Sequence, residues 1–408
     1  MTVLDLDFVR AQFPAFEQEN LNGWAFFENA GGSYACKQVI ERLDRYYRET
    51  KVQPYGHYPA SKRAGEEMDS ARDRIAGLLN VDPDELSFGP STSQNTYVLA
   101  NAFRAGLKAG DEIIVTNQDH EANSGVWRRL EGEGATIREW RVNPQTGSLD
   151  LADLDQLLND CTILVTMPHC SNIVAEINDV AAVAEKVHAV GALLVVDGVA
   201  FAPHGLPDVK ATNADIYLFS LYKTFAPHQG AMVIRASVSE KLQNQGHYFN
   251  AGYPGKRFTP AGPDHAQISA ANGLADYYET IYAHHFTEEA SLADKARKVN
   301  ELFSAHEKPL TEKLLTYLRS RNDLRILGPV TADRRAATIA VQTDKPAWQV
   351  ADALAEHKIM AGAGNFYAVR LLEGMNVPTD PGALRLSFVH YISEEEIDQL
   401  IAALDKVL

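Results

Sequence analysis

Two short apolar runs that each stop at an ionisable residue most constrain what this chain can fold into. The first, Ala192-Leu-Leu-Val-Val, lies between Gly191 and Asp197-Gly198. A parallel strand buried on both faces reads this way. The second, Asp215-Ile-Tyr-Leu-Phe, leads into Ser220-Leu-Tyr-Lys223. Asp197 and Lys223 thus both leave the carboxyl ends of strands, the edge at which open α/β sheets bind ligands. Taken singly each has a plainer reading, because an Asp after a strand commonly forms a turn and a Lys there is usually solvated. Whether they share one site depends on what else the chain brings to that edge.

The rest of the chain alternates strands with helices. Residues 4–16 read as a short helix ending before Pro14 that packs on a smaller lobe, and Ala25-Phe-Phe-Glu-Asn-Ala-Gly-Gly32 as a strand opening into a glycine turn, where backbone can approach a ligand closely. A helix over 39–47 is followed by a loop holding His57, and a helix over 62–79 by the strand Leu86-Ser-Phe. Ser91-Thr92-Ser93 then precede a helical pattern over 96–107. Hydroxyls and amides at a helix start favour an anion, although Ser and Thr are also ordinary N-caps. The strand Glu112-Ile-Ile-Val-Thr ends near His120, and Thr162-Ile-Leu-Val-Thr-Met ends in Pro168-His-Cys-Ser-Asn172. Further strands are expected over 135–142 and 231–235, with helices over 150–158 and 180–190. This alternation over residues 61–281 specifies a mostly parallel sheet covered on both faces. It divides the chain into an N-terminal segment 1–60, a large α/β domain 61–281 and a small α+β domain 282–408. The last has a helix over 292–319, strands near Ile326 and over 338–342 and 382–388, and helices over 348–357 and 393–408.

A buried lysine beside a ligand suggests Schiff-base chemistry, and a buried carboxylate suggests a partner for a protonated ring nitrogen; together they point to pyridoxal 5'-phosphate. The segments Asp197-Gly-Val-Ala200, Pro203-His204 and Ser220-Leu-Tyr-Lys223 with Ala226-Pro-His after it stand in a telling order. On these motifs the chain resembles the class V aminotransferase family of fold-type I pyridoxal-phosphate enzymes, in particular its cysteine-desulfurase-like members, and the likeness covers nearly the whole chain. Two departures are visible: Ala200 stands where the family has glutamine, and Tyr222 where it has histidine before the lysine. The resemblance implies that Lys223 carries the cofactor and that His120 stacks on its ring, which makes these two the catalytic candidates. It places Asp197 at the ring nitrogen, Asn172 at the phenolic oxygen, and Thr92, Ser93, Ser220 and Tyr222 among the cofactor contacts. For an amino-acid substrate it implies Arg385, in Leu384-Arg-Leu-Ser, gripping the α-carboxylate, with Gly32, His57 and Asn365 around the site. A loop over residues 258–265 resembles one that reaches the neighbouring subunit's phosphate, which implies a homodimer.

The reaction stays open among transamination, carbon–sulfur β-elimination, racemisation or epimerisation, and desulfuration by an unusual thiol. The family's desulfurases carry a cysteine on a mobile loop ahead of the carboxylate-binding arginine. Residues 361–370 hold none, and no cysteine follows Cys170, so a transaminase or carbon–sulfur lyase is expected. A degenerate binding protein would need none of Asp197, Lys223, His120 and Asn172. A metal hydrolase is disfavoured because His57, His120, His169 and His204 lack zinc-type spacing, so no metal is expected. The chain has 408 residues, 45% hydrophobic and 23% charged, with a formal net charge of −16, which disfavours nucleic acid and anionic membrane as partners. No apolar run approaches a membrane span, and three cysteines without metal or disulfide spacing fit a reducing, cytoplasmic setting.

Overall fold

The computed structural model describes residues 2–260 and 262–408; Ala261, within the loop 258–265, lies outside the described residues. In chain order the strands are β1 (Ala25–Phe27), β2 (Leu86–Gly89), β3 (Glu112–Thr116), β4 (Thr136–Trp140), β5 (Thr162–Pro168) and β6 (Leu193–Asp197), then β7 (Ile216–Ser220), β8 (Gly230–Ile234), β9 (Leu324–Leu327), β10 (Thr338–Thr343), β11 (Ile359–Gly364) and β12 (Ala383–Ser387). Seven form a sheet in the order β2-β8-β7-β6-β5-β3-β4, and five form a second in the order β1-β11-β12-β10-β9. The α/β architecture expected from the alternation of runs is the one observed.

Period-two geometry explains why β6 and β7 read as continuous apolar runs. Leu194 and Val196 face one core with Tyr217 and Phe219, whereas Val195 faces the other with Ile216 and Leu218. Every residue in these two sets is fully buried, and each aliphatic one contributes about 1.5–3 kcal/mol relative to exposure. Neither strand has a face left for a polar residue, so the charges fall at the ends.

β7, β6, β5, β3 and β4 run parallel. β8 runs against β7 and β2 against β8, so β2 points the same way as the parallel set. The carboxyl ends of β2, β3, β5, β6 and β7 therefore share one edge. In the second sheet β1 pairs parallel with β11, and β12 lies antiparallel between β11 and β10.

Three boundaries differ from the sequence reading. The helix expected over 96–107 begins at Thr92, so Thr92 and Ser93 lie in its first turn. The stretch 361–370, expected as loop, is strand up to Gly364; Ala361-Gly-Ala-Gly has little strand propensity, and pairing with β1 on one side and β12 on the other holds it extended. The helix His265–His285 runs through the expected boundary at 281. Near the N-terminus, helix Leu6–Arg10 is followed by a separate turn, Pro14–Glu17, and Phe13 between them packs edge-on against Phe225, Tyr277 and Tyr391.

His265–His285 packs against Lys37–Arg45 at a point where a side chain cannot fit. A Cβ on Gly273 would lie 2.5 Å from the Val39 amide nitrogen. Gly273→Ala should therefore force the two helices apart and lower stability by about 1–3 kcal/mol, read as a lower calorimetric unfolding midpoint. An unchanged midpoint would mean the contact yields freely.

Candidate active site

A pocket opens at the shared carboxyl edge of the large sheet, and the ends of β2, β3, β5, β6 and β7 each supply part of its wall. Beyond β2, Ser91 caps the helix Thr92–Arg104, its hydroxyl accepting from the Gln94 amide at 3.2 Å. The Thr92 and Ser220 hydroxyls lie 2.8 Å apart, tying the helix start to the end of β7. A Cβ at Gly230 would fall 2.5 Å from the Ser91 carbonyl carbon and 2.6 Å from the Thr92 nitrogen. Glycine there lets β8 run directly beneath the helix start, which presents free amides and the positive end of the helix dipole to the pocket.

The other strand ends bring His120, Asn172, Asp197 and Lys223 to the same wall. Asp197 is buried and accepts from the Val199 amide at 2.9 Å. Burial lifts its carboxyl to about 6, against the opposing pull of that amide and of Lys223. Burial, reinforced by Arg385, brings the Lys223 ammonium down to about 8 in spite of Asp197 and Glu28. His120 is driven to about 4 by burial and by the positive charges of Lys223 and Arg385, so its imidazole is neutral at physiological pH. Its Nδ1 accepts the Ala122 amide at 3.0 Å, which fixes the tautomer and caps helix Glu121–Arg128. Asn172 donates from Nδ2 to the Phe366 carbonyl at 3.0 Å and leaves a buried Oδ1 without a partner.

Of the residues singled out in the sequence, Thr92, Ser93, His120, Asn172, Asp197, Ser220, Tyr222 and Lys223 line this pocket. Gly32 does not line it but packs against the Tyr222 ring. The adjoining Ser33 hydroxyl donates to the Tyr222 carbonyl and accepts the Phe225 amide, clamping the turn that holds Lys223. His57 is exposed on the surface of its loop, away from the pocket wall. Asn365 turns onto its own loop, its Oδ1 accepting the Tyr367 amide, and the neighbouring Phe366 is the residue that reaches toward the site. Arg385 lies behind the wall, its guanidinium under the Phe366 ring at 3.8 Å, 3.4 Å from the Asn172 carbonyl and paired with Glu28 at 2.7 Å.

Three residues at the wall or behind it were not assigned from the sequence. Glu28 is one partner of Arg385. His228 lines the pocket and stacks on Tyr222, ring centroids 4.5 Å apart, so an imidazole enters from six residues downstream of the position where the family pattern has one. The Pro-His dipeptide after the lysine motif was the available signal. Cys170 is the third, with its thiol pointed at the Ala175 carbonyl at 3.4 Å and pushed by burial up to about 12.

A family model described as aminotransferase class-V matches residues 25–400. The chain belongs to the class-V aminotransferase family. The aminotransferase-like protein FGM3 of Gibberella zeae is 34% identical over 411 residues, 98% of each chain, and a cysteine desulfurase of Serratia proteamaculans is 28% identical over 419 residues, 98% of this chain and 97% of that one. The apo structure of the cysteine desulfurase from Thermococcus onnurineus NA1 shares the fold, with a TM-score of 0.85 at 23% identity over 100% of this chain and 98% of that one. The protein is therefore an enzyme of a pyridoxal-phosphate family. The pocket fits that cofactor: a helix start with hydroxyls for a phosphate, a buried carboxylate raised by desolvation and so in want of a cationic partner, a buried Asn172 amide whose Nδ2 has a second proton to donate, and a lysine brought down to about 8.

The Lys223 shift gives a testable pH dependence. Between about pH 8 and the ordinary 10.5 the unfolded chain holds this proton and the folded chain does not, so the residue's contribution to stability rises with pH across that window. In the cofactor-free protein, acylation of Lys223 followed by peptide mass mapping should rise through about pH 8, well before surface lysines. Asp197→Asn removes a charge that favours the ammonium and should move this midpoint lower; a midpoint that stays near 10.5 in either protein contradicts the electrostatics described.

Proposed function

We propose that this class-V enzyme acts on an amino acid by transamination or carbon–sulfur β-elimination and does not pass sulfur through a protein persulfide. The observation that carries this reading is the state of the pocket's thiol. Persulfide chemistry needs a mobile thiolate, and Cys170 is buried, bonded to a carbonyl and held protonated, while residues 361–370 contain no cysteine. Both proposed reactions begin instead with loss of the substrate's α-proton.

Pyridoxal phosphate, when bound, supplies the electron sink for that step. Thr92, Ser93 and Ser220 hold its phosphate at the helix start, with Tyr222 and His228 closing the side. Asp197 keeps the ring nitrogen protonated. His120, neutral by burial, covers one face of the ring without adding charge, and the second Nδ2 proton of Asn172 is available to the phenolic oxygen. Lys223 would hold the cofactor, and its Nζ would take the α-proton; an amine brought down to about 8 is matched to that task. Ala200 offers no side-chain donor where the family has an amide, so Asn172 bears that contact alone. Arg385 receives the α-carboxylate. His57 and Asn365 have no part in this reading.

A homodimer is part of the proposal. Residues around Tyr248, Phe249 and Tyr253 leave large aromatic surfaces in solvent, and Phe258, Thr259, Gly262 and Pro263 line a neighbouring pocket together with Ser91 and His228. No helix among the described residues is long and apolar enough to cross a membrane, and three unpaired cysteines support a cytoplasmic setting.

Amino-acid profiling of the holoenzyme, scoring keto acid and sulfide separately, tests the reaction. Transamination yields more than one keto acid per active site only when an amino acceptor is present, whereas elimination from cysteine yields pyruvate and sulfide in equal amounts. Cysteine with a reductant should leave no persulfide on Cys170 by mass spectrometry; a trapped persulfide whose loss in Cys170→Ala abolished sulfide release would overturn the proposal. Borohydride should fix the cofactor to wild-type protein and not to Lys223→Ala. Arg385→Lys should raise KM for amino acids by about tenfold or more, since a point charge replaces a two-pronged contact.

A further inference from the structure

Arg385 is spoken for. Its Nη2 donates to Glu28 Oε1 at 2.7 Å, the Phe366 ring covers one face of the guanidinium, and the residue is 2% exposed. A guanidinium in this condition is not available to a substrate. Yet the arrangement is incompletely satisfied. Arg385 Nε and Glu28 Oε2 are both buried without a hydrogen-bond partner, and an unmet buried polar group costs about 1–3 kcal/mol. Phe366 and Tyr367 sit at φ of 50° and 56°, a left-handed pair that non-glycine residues adopt only under constraint. What constrains them is the same cluster: the Phe366 carbonyl accepts from Asn172, and the Tyr367 carbonyl accepts the Glu121 amide at 2.8 Å.

Glu28 follows β1 directly, and its carboxylate occupies space that glycines leave open. A side chain at Gly31 or Gly362 would collide with it. Its side chain is 28% exposed, so it has a way out toward solvent. A carboxylate arriving from the pocket could pair with Arg385, give Nε a partner and return Glu28 to water.

We propose that Glu28 is a resident competitor for the substrate's carboxylate, latching Arg385 in the empty enzyme until a ligand carboxylate displaces it. This rests on the reading of Arg385 as the carboxylate receptor. The consequence is a specificity filter: a ligand with a carboxylate regains what displacement costs, whereas an amine of the same shape without one leaves the latch closed. A latch closed nine times in ten weakens carboxylate affinity by about tenfold.

The test uses the holoenzyme and propionate, an unreactive carboxylate, with affinity measured by titration calorimetry. Glu28→Gln keeps the side chain's shape and removes its charge; Glu28→Asp keeps the charge and shortens the reach. Propionate should bind about tenfold tighter to the first and more tightly than wild type to the second, with KM for a reactive amino acid falling in parallel. Unchanged or weaker propionate binding in the variants that fold overturns the latch. Arg385→Lys, measured alongside, separates the two ideas. If it weakens propionate while neither Glu28 variant tightens it, the latch alone is wrong; if it leaves propionate untouched, Arg385 is not the receptor and the reading beneath the latch falls.

Discussion

Placing an ammonium and a carboxylate at the ends of adjacent, fully buried parallel strands is the constraint on which the rest of the molecule turns. Removing either charge from water costs several kcal/mol, and burial outweighs what the Val199 amide returns to Asp197 and what the two groups return to each other. The fold meets this cost through titration and position. Lys223 drops to about 8 and Asp197 rises to about 6, so each lies near the edge of its charged state, and both open onto a pocket. Groups poised in this way bind a partner of matching charge and exchange a proton at modest cost. The sheet topology makes the coincidence of the two residues unavoidable, because β6 and β7 pair with Asp197 opposite Leu218, two residues before β7 ends.

Much of the site was legible because it lies where a strand gives way to loop. Ser91-Thr92-Ser93, His120, Asn172, Asp197 and Lys223 each follow a recognisable apolar run, and strand direction then assigns them to one edge without any knowledge of distances. What could not be read depends on pairings between distant parts of the chain. Nothing in Phe26-Phe-Glu28-Asn marks the glutamate as the partner of an arginine in β12. β11 is a run of alanine and glycine whose extended form comes from its neighbours, and the role of Phe366 comes from a backbone that turns left-handed only in the assembled loop. Arg385 itself was singled out by the resemblance of Leu384-Arg-Leu-Ser to the family's motif, but its pairing with Glu28 is a property of the tertiary structure.

The Tyr222 and His228 pair shows how a departure from family pattern can be absorbed. An aromatic ring at 222 lies flat against an imidazole from the other arm of the same turn, with planes 7° apart. The pocket wall keeps a ring at 222, where the pattern has one, and takes its imidazole from 228 instead. Ala200 lines the same pocket with no polar side-chain atom, so the wall lacks there the amide that the family pattern has.

The parallel pairing of Ala25–Phe27 with Ile359–Ala361 has a consequence for how the protein is made. A strand from the beginning of the chain can find its place only after nearly all of the chain has left the ribosome. Contacts of such long sequence separation close loops at high entropic cost and form late. The large sheet can assemble from consecutive segments during synthesis, while the five-stranded sheet waits for its last members. The lysine turn would thus be folded well before the segment carrying Glu28 reaches β12, and the pair of Arg385 and Glu28 would be the final part of the cluster to take shape. During that interval β1 is an apolar strand without its partner, the kind of segment that invites pairing with another chain.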